Sequence, residues 1–187
     1  MRGRPPVVTR GGIQRAAMSL FEHRDFDTVT MDEIAESVGI SRRTLFRYFP
    51  SKNELVWGEF EDGLASMRAL FAKVPATLPL GEALREVIVA FNDVPAGETA
   101  LHRQRMLLIL KVPTLQAYST LKYTQWREVV AGFVAERTGT STDNWYAQFI
   151  GHVSLAASLA AYDCWLTEGG DLSALLDRSF LALSARG

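Results

Sequence analysis

The stretch from Thr30 to Leu55, TMDEIAESVGISRRTLFRYFPSKNEL, decides the fold because it contains three helix starts in close succession. Thr30 and Glu33 have the spacing of a capping box, in which a hydroxyl and a carboxylate each bond a backbone N–H at a helix start. Gly39 can end this first helix, because glycine adopts a left-handed cap at little cost. Pro50 cannot continue the second helix, and another capping box follows it. We therefore predict three short helices here.

The second of these helices, predicted from Arg42 to Phe49, follows a short turn that contains a glycine, as in a helix-turn-helix. Leu45 and Phe49 lie one helical turn apart and can pack inward. Arg43 and Arg47 also lie one turn apart and project from the opposite side. The guanidinium fork fits the O6 and N7 atoms of guanine in the major groove, where recognition helices bind. The pattern favours a DNA-binding head over an ordinary solvated helix face.

The same stretch resembles the DNA-binding motif of TetR-type one-component repressors. The matching residues are Thr30, Ile34-Ala35, Gly39-Ile40-Ser41, Thr44-Leu45-Phe46, Phe49, Lys52 and Leu55. That family usually has Tyr where this chain has Phe46, so a phosphate contact by that residue is not expected here. The resemblance implies a helix-turn-helix head that binds DNA.

We predict two kinds of DNA contact from this head. Base contacts are expected from Arg42, Arg43 and Arg47. Phosphate contacts, which position a protein without specifying sequence, are expected from Thr30, Ser41, Thr44, Tyr48 and Lys52. Lys52 begins a helix, where the helix dipole disfavours a cation, and this favours a phosphate partner. Arg2-Gly3-Arg4-Pro5 has the form of a minor-groove-binding arm, with an unbound terminus as the alternative.

The rest of the chain also has helical patterns, and no stretch alternates long enough to predict a strand. We predict a first helix over residues 9–23 and a long helix over residues 51–73. The long helix would link a DNA-binding domain, residues 1–50, to an effector-binding and dimerisation domain, residues 51–187. Further helices are predicted at 80–92, 99–111, 115–138, 142–168 and 172–185. The predicted fold class is all-α, with an N-terminal three-helix helix-turn-helix domain and a C-terminal helical domain.

Two features of the C-terminal domain suggest partners. Small residues crowd the stretch 151–161, GHVSLAASLAA, and with the apolar last helix they predict a homodimer through a four-helix bundle. Packing within one chain is the alternative. Aromatic residues interleave with Leu and Met in the domain, which suits an apolar pocket between helices. The candidate effector-binding residues are His102, Arg105, Tyr123 and Trp126, each with core or surface packing as its alternative.

Composition excludes several other classes of protein. The chain has 187 residues, of which 48% are hydrophobic, and this is too many for a disordered protein. There is no apolar run of about 18 residues, so we predict no membrane span. The single cysteine, Cys164, fits a reducing cytoplasm. No metal-ligand spacing, phosphate-binding loop or nucleophile motif occurs, so we expect no metal, cofactor or catalytic residue.

Charge is distributed unevenly along the chain. The net charge is −1, yet residues 1–58 carry nine Lys and Arg against seven Asp and Glu. A basic head on an acidic remainder is expected when only the head meets phosphate.

The resemblance extends beyond the motif. The segments RRTLFRYFPSKNELVWGEF, HRQRMLLILKVPTLQAYSTLKYTQWREVV and LAAYDCWL are similar to regulators associated with mycofactocin biosynthesis loci in actinobacteria. This resemblance implies a repressor of a redox-cofactor system, with a long-chain acyl-CoA as a candidate effector. We therefore predict a ligand-responsive homodimeric repressor of a palindromic DNA operator, with a drug or another hydrophobic molecule as the alternative effector. The alternative is a helical small-molecule-binding protein or enzyme whose head does not bind DNA, and Phe46 is the one local feature that favours it.

Overall fold

The computed structural model describes residues 8–184, except for the side chain of Ser184, and every regular element in that part of the chain is helical. The helices are α1 (Arg10–His23), α2 (Met31–Ser37), α3 (Arg42–Tyr48), α4 (Lys52–Trp57), α5 (Phe60–Phe71), α6 (Leu80–Phe91), α7 (Thr99–Lys111), α8 (Pro113–Thr138), α9 (Trp145–Glu168) and α10 (Leu172–Ser184), with a 3-10 turn at Ala96–Glu98. The predicted all-α fold class is confirmed.

The chain forms two compact units. The head unit contains Met1–Gly58 and Ala100–Ala117, and the body unit contains Glu59–Thr99 and Tyr118–Gly187. Most of α7 thus belongs to the head unit, which the sequence did not indicate. A reason is visible at Gln104, whose Nε2 donates to the main-chain oxygen of Met18 at 2.5 Å. The proposed domain boundary at residue 50 stays a prediction.

The head unit is built around an apolar centre to which each of its first four helices contributes. Among its fully buried side chains are Ile13, Ile34, Leu45, Phe49 and Leu55. The local start and stop signals act as predicted: the capping box at the start of α2 is complete, and the glycine after α2 has a φ of +69°. These caps fix where α2 and α3 begin, so the arginine-bearing face of α3 is set by local chemistry.

The predicted single helix over residues 51–73 is wrong, because the chain breaks between α4 and α5. Gly58 has φ 63° and ψ −127°, a conformation that only glycine adopts readily. Its α-carbon also lies close to Gln14, whose Nε2 donates to the main-chain oxygen of Leu55 at 3.0 Å. A Cβ at residue 58 would lie 2.4 Å from that Nε2 atom. The break therefore depends on glycine for both conformation and space.

The body unit has its own apolar core, formed from α5, α6, α8, α9 and α10. Phe71 and Phe133 stack there with ring centroids 4.3 Å apart. Arg85 on α6 and Asp177 on α10 form an ion pair at 2.6 Å. The predicted helix boundaries in this part are close to the observed ones. The exceptions are at two helix starts. Helix α8 starts at Pro113 in place of residue 115, because proline is well accommodated at the first helical position. Helix α9 starts at Trp145 in place of residue 142, because the side chain of Asn144 caps it.

Helix α9 is the most apolar long helix in the described part of the chain, and its composition and length would permit a membrane span. It contributes buried side chains to the body unit along one face, including Ser154, Tyr162 and Trp165. The hydroxyl of Tyr162 donates to Asn92 Oδ1 at 2.8 Å inside that unit. A helix with one face packed on other helices and with such a hydrogen bond has the character of a core helix.

Candidate DNA-binding surface

Hydroxyl groups hold the starts of α2 and α3. Thr30 Oγ1 accepts from the Glu33 amide at 3.3 Å and donates to the Glu33 carboxylate at 2.8 Å. The Arg24 guanidinium and the Thr30 groups together lower the pKa of Glu33 to about 2. At α3, Ser41 Oγ accepts from the Thr44 amide at 3.1 Å. The cap residues therefore orient both helices, and the phosphate contacts predicted for these three hydroxyls stay predictions.

Helix α3 carries three exposed cations, and two of them, Arg43 and Arg47, lie one helical turn apart. Within residues 8–184, no carboxylate lies within ion-pair distance of either guanidinium group. Arg47 lies 5.7 Å from the ring centroid of Tyr48, which leaves its N–H groups available. Two unpaired guanidinium groups one turn apart on a capped helix form the arrangement that major-groove reading requires.

Arg42 differs from these two arginines because it has a partner. Its Nη1 lies 2.8 Å from Asp32 Oδ2 on α2, and its guanidinium carbon lies 5.4 Å from the Phe46 ring centroid. Both members of the ion pair are mostly exposed, and such pairs contribute only about 0–1 kcal/mol. DNA can therefore replace Asp32 as the partner of Arg42. Phe46 is 38% exposed and presents a ring in place of the hydroxyl that its usual tyrosine would offer.

Tyr48 links the end of α3 to the residues around the start of α1. Its hydroxyl donates to the main-chain oxygen of Val8 at 3.4 Å, and its own main-chain oxygen accepts from Arg10 Nη1 at 2.7 Å. The Arg10 guanidinium also lies 4.3 Å from the ring centroid of Phe49. Tyr48 thus anchors the region that precedes α1, while its phosphate contact stays a prediction. The predicted minor-groove arm, residues 2–5, lies outside the described residues.

Lys52 is arranged differently from the prediction. Its Nζ donates to the main-chain oxygens of Phe26 at 2.5 Å, Val29 at 2.8 Å and Asp27 at 3.2 Å. Burial of the ammonium group lowers the pKa of Lys52. An ammonium group has three N–H donors, and here three acceptors of the head unit receive them. The expected phosphate contact therefore conflicts with the observed bonding of this side chain.

The four candidate effector residues fall into two pairs. His102 and Arg105 lie on the part of α7 that belongs to the head unit, whereas Tyr123 and Trp126 lie on the part of α8 in the body unit. Trp126 is buried in the apolar core of the body unit, which agrees with the stated alternative that it is a core residue. Burial raises the pKa of Tyr123. Neither unit alone assembles the four residues, and their role stays a prediction.

Hollows occur in the described part of the body unit, and no predicted effector residue lines the two described below. One, of about 480 Å³, lies among α5, the segment after it and α8, with Phe71, Phe133 and Arg137 in its wall. The other, of about 460 Å³, lies between α9 and α10 and includes Ala160 and Leu181. In residues 8–184, no group of three or more His, Cys, Asp and Glu side chains is placed to hold a metal ion.

His102 makes folding of the protein sensitive to acid. Burial, with the nearby Arg105 charge second, lowers the pKa of His102 from 6.5 to about 4. As the pH falls below 6.5, the unfolded chain binds a proton that the folded chain does not, so the folded state loses stability down to about pH 4. The loss should reach at most about 3 kcal/mol.

Chemical denaturation between pH 7 and pH 4 tests this expectation. His102→Gln should flatten the profile relative to the wild type. Identical slopes for the wild type and His102→Gln would contradict the prediction.

Sequence comparisons place this architecture in a known group. The model of bacterial regulatory proteins of the tetR family matches residues 13–56, and the model of the MftR C-terminal domain matches residues 78–186. A Mycobacterium tuberculosis protein assigned as the mycofactocin biosynthesis transcriptional regulator MftR is 42% identical over 166 residues, covering 89% of this chain and 84% of that protein. The regulator TcmR of Streptomyces glaucescens is 28% identical over 150 residues, covering 77% of this chain and 66% of TcmR.

Solved structures share the fold. FadR of Thermus thermophilus, a TetR-family repressor in complex with lauroyl-CoA, has a TM-score of 0.60 at 23% identity, covering 94% of this chain and 93% of FadR. GusR of Salmonella enterica has a TM-score of 0.59 at 20% identity, covering 98% of each chain. The predicted absence of enzyme activity agrees with these relatives. The chain belongs to the TetR family of bacterial transcriptional regulators and carries a C-terminal domain of the MftR type.

Proposed function

We propose that this regulator is a homodimeric repressor that places α3 of each subunit in the major groove of a palindromic operator. The observation that carries the proposal is the pair of unpaired, exposed guanidinium groups of Arg43 and Arg47 on a helix whose start Ser41 caps. Arg42 contributes a third guanidinium group when DNA replaces Asp32 as its partner. Two half-sites about one or more helical turns apart are expected, since a two-fold dimer presents two such helices.

The proposed dimer surface is the exposed face of α9 with the adjoining face of α10. Exposed residues recur on α9 at spacings of three and four, which places them on one side of the helix. They are Trp145, Phe149, His152, Ala156 and Ala160. Leu181 on α10 is 47% exposed and lines the hollow beside Ala160. A small-residue centre lets two helices approach closely, and the large exposed aromatic side chains would lose water contact on pairing.

We further propose that an acyl-CoA or another hydrophobic molecule is the effector. The regulated genes would form a mycofactocin-type locus, and the regulator would act in the cytoplasm. Support comes from the identity with MftR over most of the chain and from the MftR-type C-terminal domain. FadR, which has the same fold, is bound to lauroyl-CoA. The effector can release DNA only by binding the non-binding arrangement of the dimer more tightly than the DNA-binding arrangement.

Replacement of Arg43 by alanine tests the DNA-binding role. Arg43→Ala should weaken binding to the DNA upstream of the protein's own gene by roughly 1–3 kcal/mol and relax the preference at one base pair of each half-site. The fold should be unaffected, since the side chain is exposed. A mobility-shift titration against the operator and single-base variants measures both effects.

Arg15→Ala, at an exposed position on α1, serves as the control. Equal losses on all DNA sequences would contradict a base-reading role for Arg43. Failure of the wild type to bind this DNA at any salt concentration would favour the alternative, a helical small-molecule-binding protein.

A further inference from the structure

The Lys52 ammonium group lies in a ring of main-chain oxygens in the connection between α1 and α2. Besides its three hydrogen bonds to Phe26, Asp27 and Val29, its Nζ lies 4.4 Å from the Phe26 ring centroid. The side chains of Phe26 and Val29 are themselves buried in the head unit. One side chain thus bonds a connection more than twenty residues away in the sequence.

The geometry of that connection explains why it attracts a cation. The amides of Thr28 and Val29 both donate to the main-chain oxygen of Asp25, at 3.1 and 3.3 Å. This turn brings neighbouring main-chain oxygens close together, and oxygens that are partly shielded from water destabilise the folded state when they have no donor. A lysine ammonium group is compact and has three donors around one atom, so it can satisfy converging acceptors. The planar guanidinium of arginine cannot match that arrangement.

The contact between Lys52 and the connection between α1 and α2 affects the helices that carry the DNA-reading arginines. Lys52 is the first residue of α4, and the connection that it bonds leads directly into α2. Helix α2 in turn packs on α3, and Asp32 on α2 bonds Arg42 on α3. The lysine therefore ties α4 to the helix pair that carries the DNA-reading arginines. It also explains a cation in the first turn of a helix, since the main-chain oxygens offset the unfavourable dipole.

We propose that Lys52 is a positioning residue that sets the placement of α2 and α3, and that it is not a phosphate contact. The proposal rests on the DNA-binding function proposed above, but its structural part can be measured without DNA. Asp25 and Asp27 stabilise the ammonium charge, while burial opposes it. The three N–H donors of the Lys52 ammonium group are thus used by main-chain oxygens of the connection between α1 and α2.

The experiment uses Lys52→Met and Lys52→Arg in the full-length protein, with Lys73→Met as a control that removes an exposed lysine outside the head unit. Hydrogen exchange of the Thr28 and Val29 amides reports the turn directly. Both Lys52 variants should exchange there roughly tenfold faster or more than the wild type, because the turn loses charge-assisted bonds. Lys73→Met should match the wild type. If Lys52→Met does not fold, Lys52→Arg provides the same measurement.

The salt dependence of operator binding separates positioning from phosphate contact. A positioning role predicts weaker binding of both Lys52 variants with an unchanged slope of log K against log salt. A phosphate role predicts a slope lower by about one per subunit for Lys52→Met, near-normal binding for Lys52→Arg and unchanged amide exchange, and that result would overturn the proposal. Should the wild type bind no operator, the proposed function fails, whereas the exchange rates still decide whether Lys52 holds the turn.

Discussion

Ala156→Arg is expected to convert the protein into a monomer and to weaken operator binding by a factor of about 100 or more. Ala156 lies midway along the exposed small-residue face of α9, between His152 and Ala160. On a two-fold interface each change occurs twice at neighbouring positions, so two long cations would meet where the helices must approach closely. Two linked heads bind two half-sites with an affinity gain of about 10²–10⁴, which a monomer loses.

The control for this change is Ala69→Arg, which adds the same side chain at an exposed position on α5. Sedimentation analysis gives the mass of each variant, and circular dichroism shows whether the helices are retained. Ala69→Arg should remain dimeric and bind the operator as the wild type does. A dimeric Ala156→Arg variant with normal affinity would show that the subunits pair through another surface.

The sequence predicts best where one side chain bonds the backbone a few residues away. The capping box at Thr30 forms as predicted, and Ser41 and Asp171 cap their helices in a similar way, because a cap depends on residues that are close in the chain. The apolar stripes that define α1 and the body helices are likewise local patterns. For this reason the fold class, the helix-turn-helix and most helix limits could be predicted from the residues alone.

The sequence predicts a contact poorly when the partner of a side chain is far away along the chain or is a main-chain atom. The acceptors of Lys52 are main-chain oxygens, which every residue has, so no pattern marks them. The bond between Gln104 and the main chain of Met18, which joins α7 to the head unit, has the same character. The aromatic residues Trp145 and Phe149 on α9 are 74% and 51% exposed, although large apolar side chains are more often buried. Apolar character alone does not distinguish a core position from an exposed one.

Gly58→Ala should destabilise the head unit by about 2–6 kcal/mol. Gly58 has a φ of 63° with a ψ of −127°, and a side chain held in such a sparsely populated conformation costs about 1–3 kcal/mol. The new methyl group would also displace Gln14, because a Cβ would lie 2.4 Å from Gln14 Nε2. That displacement breaks the buried bond to the Leu55 main chain, worth about 1–3 kcal/mol when one partner is left unpaired.

Urea denaturation of three variants separates conformational strain from the clash. Gly132→Ala is the control, since it lies within α8 and no atom would lie within 4 Å of its new Cβ, so its stability should be unchanged or higher by up to about 1 kcal/mol. The double change Gly58→Ala with Gln14→Ala removes the clash but keeps the strained φ. The double variant should therefore lose less free energy of unfolding than the sum of the losses of the two single variants. If Gly58→Ala were as stable as the wild type, the chain would have to pass from α4 to α5 in another conformation, and the long helix predicted from the sequence would again be the better description.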